Sequence, residues 1–182
     1  AATTITAAVN VASNGDTVQV AAGTYTLSAQ VTVTNGLTVR GASGASVTTV
    51  NGNSATRCFY LKHTNAVVDG FSIVGGRVTN AGGGGVWCEA GTVKNCVIAG
   101  NRAIGTSGRG GGAYVASNGI ISFCVITNNV AGTDGGGVLC GDAAVAGGTV
   151  RNCLIALNTA TNFGGGAACW TGAVVESSTI VT

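Results

Sequence analysis

The chain has 182 residues and a formal net charge of +2, and only 8% of its residues are charged. It contains 32 glycines and no proline, which excludes collagen and argues against disorder, since both are rich in proline. No apolar run is long enough for a transmembrane helix, and the few scattered basic residues argue against a nucleic-acid partner.

The first residues predict a short amphipathic helix. Thr4 is a candidate N-cap, and the apolar residues that follow fall on one helical face: Ile5, Ala8, Val9 and Ala12. We expect this cap, residues 1–14, to cover the open end of a repeat structure, because terminal repeats need a covered face. Residues 15–82 continue with short β-branched segments between glycines and asparagines, which predict the strands of the first coils.

Four glycine clusters divide residues 83–182 into repeats of about 27 residues. The clusters begin at Gly83, Gly110, Gly135 and Gly164. Each repeat holds three short apolar segments, as expected for one coil of a parallel β-helix. A propeller blade needs four strands and about 40 residues, and a leucine-rich repeat needs a leucine ladder that this sequence lacks.

Aligning the second strand of each coil gives two columns. The inward column is apolar and comprises Val39, Val68, Val93, Ile121, Val150 and Val175. The outward column avoids like-charge neighbours and comprises Arg40, Asp69, Lys94, Ser122, Arg151 and Glu176. Because stacked strands lie about 4.8 Å apart, this order of charges favours the proposed register.

Four further columns predict corners, two more rows of core residues and a polar ladder. A corner column rich in Gly and Asn, which tolerate positive φ, contains Phe123 as its misfit: Gly41, Gly70, Asn95, Phe123, Asn152 and Ser177. The next inward columns comprise Ala42, Phe71, Cys96, Cys124, Cys153 and Ser178, and then Ile73, Ile98, Ile126, Ile155 and Ile180. We expect Asn101, Asn129 and Asn158 to form a hydrogen-bonded ladder.

The sequence therefore predicts one all-β domain over residues 1–182, a right-handed parallel β-helix with three-strand coils. The repeat length gives about six or seven coils and one N-terminal capping helix. The chain stops inside a strand pattern at Thr179–Thr182. We therefore expect it to belong to a longer chain, or to associate end to end through an uncapped last coil.

Two features resemble known families. The predicted helix followed by GDTVQVAAGTY, TVTNGLTVRG and SVTTVNG is similar to the start of pectin-lyase-like right-handed β-helix proteins. The segments IAGNRA with GGGAY, and ITNNVA with GGGVL, resemble polymorphic outer-membrane-protein repeats, although Ile98 and Ile126 stand where that family usually has Phe. The resemblance implies a secreted or cell-surface passenger domain and no particular chemistry.

The acidic residues do not form a catalytic pattern. Glycoside hydrolysis needs two carboxylates about 5–9.5 Å apart, yet no two acids fall in neighbouring coils of one column: Asp16, Asp69, Glu89, Asp134, Asp142 and Glu176. Glu89 and Asp142 both follow a glycine cluster and could approach each other, but we interpret them as solvated turn residues. We predict no catalytic residue, with a polysaccharide lyase or hydrolase as the alternative.

No metal or cofactor site is predicted. The seven cysteines lack C-x-x-C spacing, and we interpret them as columns of free buried thiols, with a Cys88–Cys96 disulfide as the alternative: Cys58, Cys88, Cys96, Cys124, Cys140, Cys153 and Cys169. His63 has no Ser or Cys–Asp partner in the sequence. The glycine clusters are interpreted as turns rather than as anion-binding loops.

Two outward-facing groups are candidate contact surfaces. Trp87 and Tyr114 occupy the same step after their glycine clusters, with Leu139 and Ala168 above them. They form either a sugar-binding pair or, as we favour, scattered exposed apolar surface. A stripe of Val97, Val125 and Leu154 offers a lateral contact. Thr32 and Thr34 do not recur in later coils, which argues against ice binding.

We expect a secreted or cell-surface structural β-solenoid: an adhesin, a stalk or a fibre segment without catalytic activity of its own. A polysaccharide-binding or polysaccharide-degrading module is the alternative. The expected partners are further copies joined end to end, or a glycan.

Overall fold

The computed structural model describes residues 4–181 and shows a parallel β-solenoid of about six turns. Helix α1 spans Ile5–Val11. The first coils contain β1 (Thr17–Val20), β2 (Gly23–Thr26), β3 (Val31–Val33), β4 (Thr38–Gly41) and β5 (Thr48–Asn51). The all-β fold class and the repeat organisation are therefore confirmed.

The middle coils each have one long strand and two short ones, as the three-strand coil predicts. They are β6 (Phe59–Asp69), β7 (Ser72–Val74), β8 (Arg77–Thr79), β9 (Val86–Lys94), β10 (Val97–Ala99), β11 (Arg102–Ile104), β12 (Ala113–Ser122), β13 (Val125–Thr127) and β14 (Val130–Ala131). In the later coils the long strand splits in two. These coils contain β15 (Val138–Cys140), β16 (Thr149–Arg151), β17 (Leu154–Ala156), β18 (Thr159–Ala160), β19 (Ala167–Cys169), β20 (Val174–Glu176) and β21 (Thr179–Val181).

The strands form three sheets that run along the solenoid. The first sheet has 10 strands: β1, β3, β4, β6, β9, β12, β15, β16, β19 and β20. The second has 7, β2, β5, β7, β10, β13, β17 and β21, and the third has 4, β8, β11, β14 and β18. Each strand pairs in parallel with its counterpart one coil away, so the sheets enclose a narrow core.

Helix α1 covers the first coil, as predicted. The Thr4 hydroxyl accepts a hydrogen bond from the Ala7 amide at 3.1 Å, which satisfies one of the unpaired amides at the helix start. Ile5 and Val9 are buried, and the helix packs against β1 and β3. The helix ends at Val11, and its C-cap residue Ala12 has an extended backbone.

The predicted columns have the predicted register. In the valine column each residue pairs with the equivalent residue of the next coil, in the order Val18, Val39, Val68, Val93, Ile121, Val150 and Val175; Val18 was not part of the prediction. The isoleucine column from Ile73 to Ile180 is also in register. Fully burying one such side chain stabilises the fold by about 1.5–3 kcal/mol.

The charged column is confirmed too. Arg40 lies opposite Asp69, which lies opposite Lys94, and Arg151 lies opposite Glu176. Lys94 Nζ and Asp69 Oδ2 are 3.8 Å apart. The pairs lie at the surface, with the Asp69 side chain partly buried, and each contributes about 1 kcal/mol or less, so they favour the register more than they stabilise the fold.

The asparagine ladder is present and buried. Asn101 Nδ2 donates to Asn129 Oδ1 at 3.0 Å, and Asn129 Nδ2 donates to Asn158 Oδ1 at 3.0 Å. The same Oδ1 atoms accept the backbone amides of Asn101 and Asn129, and each Nδ2 also donates to a backbone carbonyl of the preceding coil. The ladder thereby supplies partners for backbone groups at a corner that no strand pairing satisfies.

Several positions depart from the predicted columns. Ala42 is exposed rather than inward, and Ser178 is only half-buried. Gly41 has no positive φ; it lies in β4, where an added Cβ would collide with the Gly70 carbonyl oxygen. Phe123 adopts the same left-handed backbone as Asn95 and Asn152, with φ of 53°, and the residue is 59% exposed. It therefore fits the corner in backbone and differs only in side chain.

Candidate functional site

A column of aromatic side chains stands on the outer side of the first sheet. Tyr60, Trp87 and Tyr114 occupy equivalent positions in β6, β9 and β12. The ring centroids of Tyr60 and Trp87 are 5.4 Å apart, and those of Trp87 and Tyr114 are 5.0 Å apart. Leu139 and Ala168 continue the column, as the sequence predicts.

The column is more covered than the sequence indicates. Tyr114 is 4% exposed and Leu139 is fully buried, and with Ala116 they form a small apolar cluster outside the main core. Trp87 and Ala168 are partly buried against this cluster. The interpretation of Trp87 and Tyr114 as scattered exposed apolar surface is therefore wrong for Tyr114. The side chain points outward, but neighbouring loops enclose it.

Those loops leave a groove of about 310 Å³ beside the rings. Its wall combines two aromatic residues with polar and charged ones: Gly82, Trp87, Ser107, Arg109, Tyr114, Asp142 and Val145. Trp87 Nε1 is buried and has no hydrogen-bond partner among the described residues. Aromatic faces with a few polar groups are the usual lining of a small-ligand site.

The polar groups of the groove shift each other's pKa values. Burial, followed by the neighbouring Asp142 carboxylate, raises the pKa of the Tyr114 hydroxyl. Burial alone would raise the pKa of Asp142, but the amides of Ala144 and Val145, the Tyr114 hydroxyl and the Arg109 charge together lower it. Arg109 Nε lies 3.4 Å from Asp134 Oδ2. At neutral pH the groove therefore offers a carboxylate, a phenol and a guanidinium.

The start of the column is surrounded by charged side chains. The Arg57 guanidinium lies 5.1 Å from the centre of the Trp87 ring and 5.6 Å from that of Tyr60, at cation–π distance. The Tyr60 hydroxyl donates a hydrogen bond to Glu89 Oε2. Burial and this carboxylate raise the pKa of Tyr60 to about 12.

Glu89 and Asp142 are not brought together. Glu89 contacts Tyr60, whereas Asp142 lies beside Tyr114. Asp142 Oδ1 also accepts the amides of Ala144 and Val145 at 2.8 and 2.9 Å, as a turn-stabilising aspartate does. The interpretation of Asp142 as a turn residue agrees with this geometry, and the two acids share no site. The interpretation of Glu89 as a turn residue is wrong, because strand β9 continues through it and its exposed side chain accepts the Tyr60 hydroxyl.

The remaining carboxylates also have local partners. Asp16 accepts the Ser13 amide at 2.8 Å, and Asp69 accepts the Asn95 side-chain amide at 2.8 Å. Asp134 is 5% exposed and faces Arg109, although its Oδ1 has no partner among residues 4–181. Glu176 lies opposite Arg151.

All seven cysteines are free thiols, and Cys88 and Cys96 are not joined. Six are buried as interpreted, but Cys169 is exposed, because β19 is the last strand in its row of the first sheet. Cys96, Cys124 and Cys153 each donate from Sγ to the carbonyl two residues earlier, at 3.1–3.2 Å. Burial raises the pKa of Cys58 and of Cys88 to about 12. These two thiols therefore stay protonated and unreactive at neutral pH.

The glycine clusters are turns, as predicted. The first glycine of each has a positive φ of 60–66°. The amides donate to the carbonyls of the next coil, as in Gly84 to Gly110 and Gly111 to Gly135. Amides that donate to these carbonyls are not available to bind an anion.

The lone histidine has a local partner. His63 is half-buried, and its Nδ1 accepts the Asn65 amide at 3.1 Å.

Sequence analysis missed the role of Arg57. Its Nε donates to the Gly83 carbonyl at 2.8 Å and its Nη2 to the Gly82 carbonyl at 2.7 Å. In later coils the equivalent carbonyls, those of Gly110 and Arg109, accept backbone amides from the preceding coil. Arg57 thus supplies the donors for the first cluster, where the preceding coil has no glycine turn.

Comparisons with protein-family models, with curated proteins and with solved structures find no match to this chain. Among residues 4–181 there is no helix of the length and apolarity needed to cross a bilayer. The same residues contain no group of three or more His, Cys, Asp or Glu side chains placed to hold a metal ion.

Proposed function

We propose that this chain is a structural β-solenoid, secreted or displayed at a cell surface as an adhesin, a stalk or a fibre segment, without catalytic activity of its own. The observation that carries the proposal is the continuous parallel register from Val18 to Val175. Such a stack bonds every coil to both neighbours and makes an extended, stiff scaffold whose outer face is available to partners.

Two further observations support a scaffold role. Glu89 and Asp142, the acids nearest the aromatic column, serve a tyrosine hydroxyl and a turn. The resemblance of the coils to pectin-lyase-like β-helices and to polymorphic outer-membrane-protein repeats favours a surface-exposed passenger domain. Small, weakly charged side chains suit a rod that resists proteolysis.

The scaffold proposal is tested by small-angle scattering, limited proteolysis and incubation with neutral and acidic polysaccharides. We expect a stiff particle whose solenoid is about 30 Å long, as the strand spacing predicts. We also expect slow cleavage of the protein by proteases and no release of reducing ends from the polysaccharides. Release of sugar products that disappears in Glu89→Gln or Asp142→Asn would contradict the proposal in favour of a polysaccharide-degrading enzyme.

A second function, glycan binding, is favoured by the groove beside Trp87 and Tyr114. A sugar ring in this groove would contact both aromatic residues, beside the polar groups of Ser107 and Asp142. We expect affinity for an oligosaccharide to fall about tenfold or more in Trp87→Ala, as for an aromatic anchor. Trp170→Ala is the matched control, since Trp170 is 41% exposed and lies outside the groove. Equal affinity of both variants and the parent would exclude this groove as the glycan-binding site.

The fibre form of the proposal concerns the last coil. Electron microscopy of the chain with and without residues 167–182 would test end-to-end association. Fibres that form equally well without these residues would contradict assembly through that end.

A further inference from the structure

Two arginines lie side by side on the third sheet. Arg77 in β8 pairs in register with Arg102 in β11, so their Cα atoms are about 4.8 Å apart. Both side chains are exposed and both belong to the same face of the solenoid. Like charges directly opposite each other in a sheet are destabilising.

This chain avoids such pairs elsewhere. On the first sheet the column of Arg40, Asp69 and Lys94 alternates in sign. In the described part of the chain the two ion pairs are Lys94–Asp69 and Arg109–Asp134, and neither includes Arg77 or Arg102. The third sheet therefore carries a repulsion that no ion pair among residues 4–181 offsets.

A cavity of about 500 Å³ opens next to this pair. Its wall is polar and basic and includes no acidic residue; the side chains that matter here are Arg57, Arg77, Gln30, Ser54, Thr56 and Thr79. The volume lies within the range of small-ligand sites.

A third guanidinium stands in the cavity wall. Arg57 is 8% exposed and is held by Gly82, Gly83 and Gln30, with no carboxylate partner among residues 4–181. These contacts use three of its five N–H groups. Neutral oxygens and the rings of Tyr60 and Trp87 hold this cation, so its positive charge is not neutralised by a carboxylate of the described residues.

We propose that the cavity beside Arg77, with Arg57 in its wall and Arg102 extending it along the axis, binds the sulfate or carboxylate groups of an anionic glycan. Planar guanidinium groups pair with two oxygens of such groups at once, and the hydroxyls of Ser54, Thr56 and Thr79 suit the sugar. The wall contains no aromatic ring, whereas single-stranded nucleic acids bind on aromatic platforms.

Binding is measured by calorimetry with a heparin oligosaccharide as the sulfated probe and an oligogalacturonate as the carboxylated one. Single-stranded DNA of the same charge and neutral dextran serve as comparison ligands. The test variant is Arg77→Gln with Arg102→Gln. The matched control, Arg40→Gln with Arg151→Gln, removes the same charge from exposed positions on the first sheet.

We expect at least one acidic glycan to bind, the test variant to bind about tenfold or more weakly, and the control to bind within about twofold of the parent. The oligosaccharide that binds identifies sulfate or carboxylate as the preferred group. Failure of both acidic probes, equal loss in the control, or equal binding of DNA would overturn the proposal.

A thermal readout guards against misfolding. A bound glycan should raise the melting temperature of the parent and the control but not of the test variant, whose own melting temperature should equal or exceed that of the parent at low salt. A lower melting temperature in the test variant would contradict the inferred repulsion. None of these results depends on Trp87 or on the scattering and proteolysis experiments, so the scaffold proposal stands or falls separately.

Discussion

Asn129 shows how one buried side chain can satisfy the backbone of two coils. Its Oδ1 accepts from the amide and the side chain of Asn101, and its Nδ2 donates to Ile98 O and Asn158 Oδ1. The residue is fully buried, so water cannot replace these partners. The ladder therefore stabilises the fold mainly because buried polar groups would lose their hydrogen-bond partners without it.

Replacing Asn129 with alanine should lower the free energy of unfolding by about 3 kcal/mol or more, because several buried polar groups lose their partners at about 1–3 kcal/mol each. Urea denaturation followed by circular dichroism measures this loss. Asn162→Ala, at an exposed position, is the control and should cost less than about 0.5 kcal/mol. Equal stability of the two variants would show that the ladder is unimportant.

Tyr60 gives a pH-dependent prediction. Its pKa is raised to about 12, so the folded state favours the neutral phenol over the phenolate. The stability from this interaction should be complete below about pH 10, the ordinary tyrosine pKa, and decline as the pH rises towards 12. Ultraviolet titration of the parent against Tyr60→Phe measures this pKa, which Glu89→Gln should lower. An unchanged pKa in Glu89→Gln would contradict the role of the carboxylate.

The strands and their corners follow from simple local rules. Short β-branched segments between Gly or Asn predict both the register and the left-handed corner residues, including Asn95 and Asn152. The same alignment, extended by one residue past Asn101, would have found the Arg77–Arg102 pair. A third strand in each coil was predicted, but its residues were not aligned into columns, so the pairing of the two arginines was not recognised.

The groove and the Arg57 contacts could not be predicted by aligning the strands of successive coils. Tyr114 is enclosed by loops outside the repeat pattern, and an alignment of strands says nothing about how such loops fold. Arg57 reaches carbonyls about 26 residues later in the chain, roughly one coil on. Long side chains that leave their own column need three-dimensional information.

The glycine turns predict an effect of Arg57→Lys. Lysine keeps the charge but cannot bond Gly82, Gly83 and Gln30 with the geometry of a guanidinium. We expect the free energy of unfolding to fall by about 2 kcal/mol or more, because two carbonyls lose charge-assisted partners. Thermal denaturation measures the loss, and Arg40→Lys at an exposed site is the control. A loss no larger than that of the control would refute the capping role.

At the scale of the whole molecule, stability should depend on position along the stack. Ile126 is fully buried between neighbouring coils, whereas Ile180 in β21 is 48% exposed. Ile126→Ala should cost about 2–5 kcal/mol through lost burial and a cavity, and Ile180→Ala less than about 1 kcal/mol. Chemical denaturation of both variants provides the comparison. Similar costs would contradict a core that is continuous through the middle coils.

Gly112 and Gly137 occupy equivalent places in successive coils. The solenoid can therefore be shortened by removing one complete coil. Excising residues 113–137 would join Gly112 to Val138 and seat Val138 on Val86, in the place that Ala113 holds now. Circular dichroism should still report a folded β protein. Removing half as many residues would instead move every later valine, isoleucine and asparagine out of register with its counterpart. Changes of a few residues belong in the loops, since successive glycine clusters lie 27, 25 and 29 residues apart.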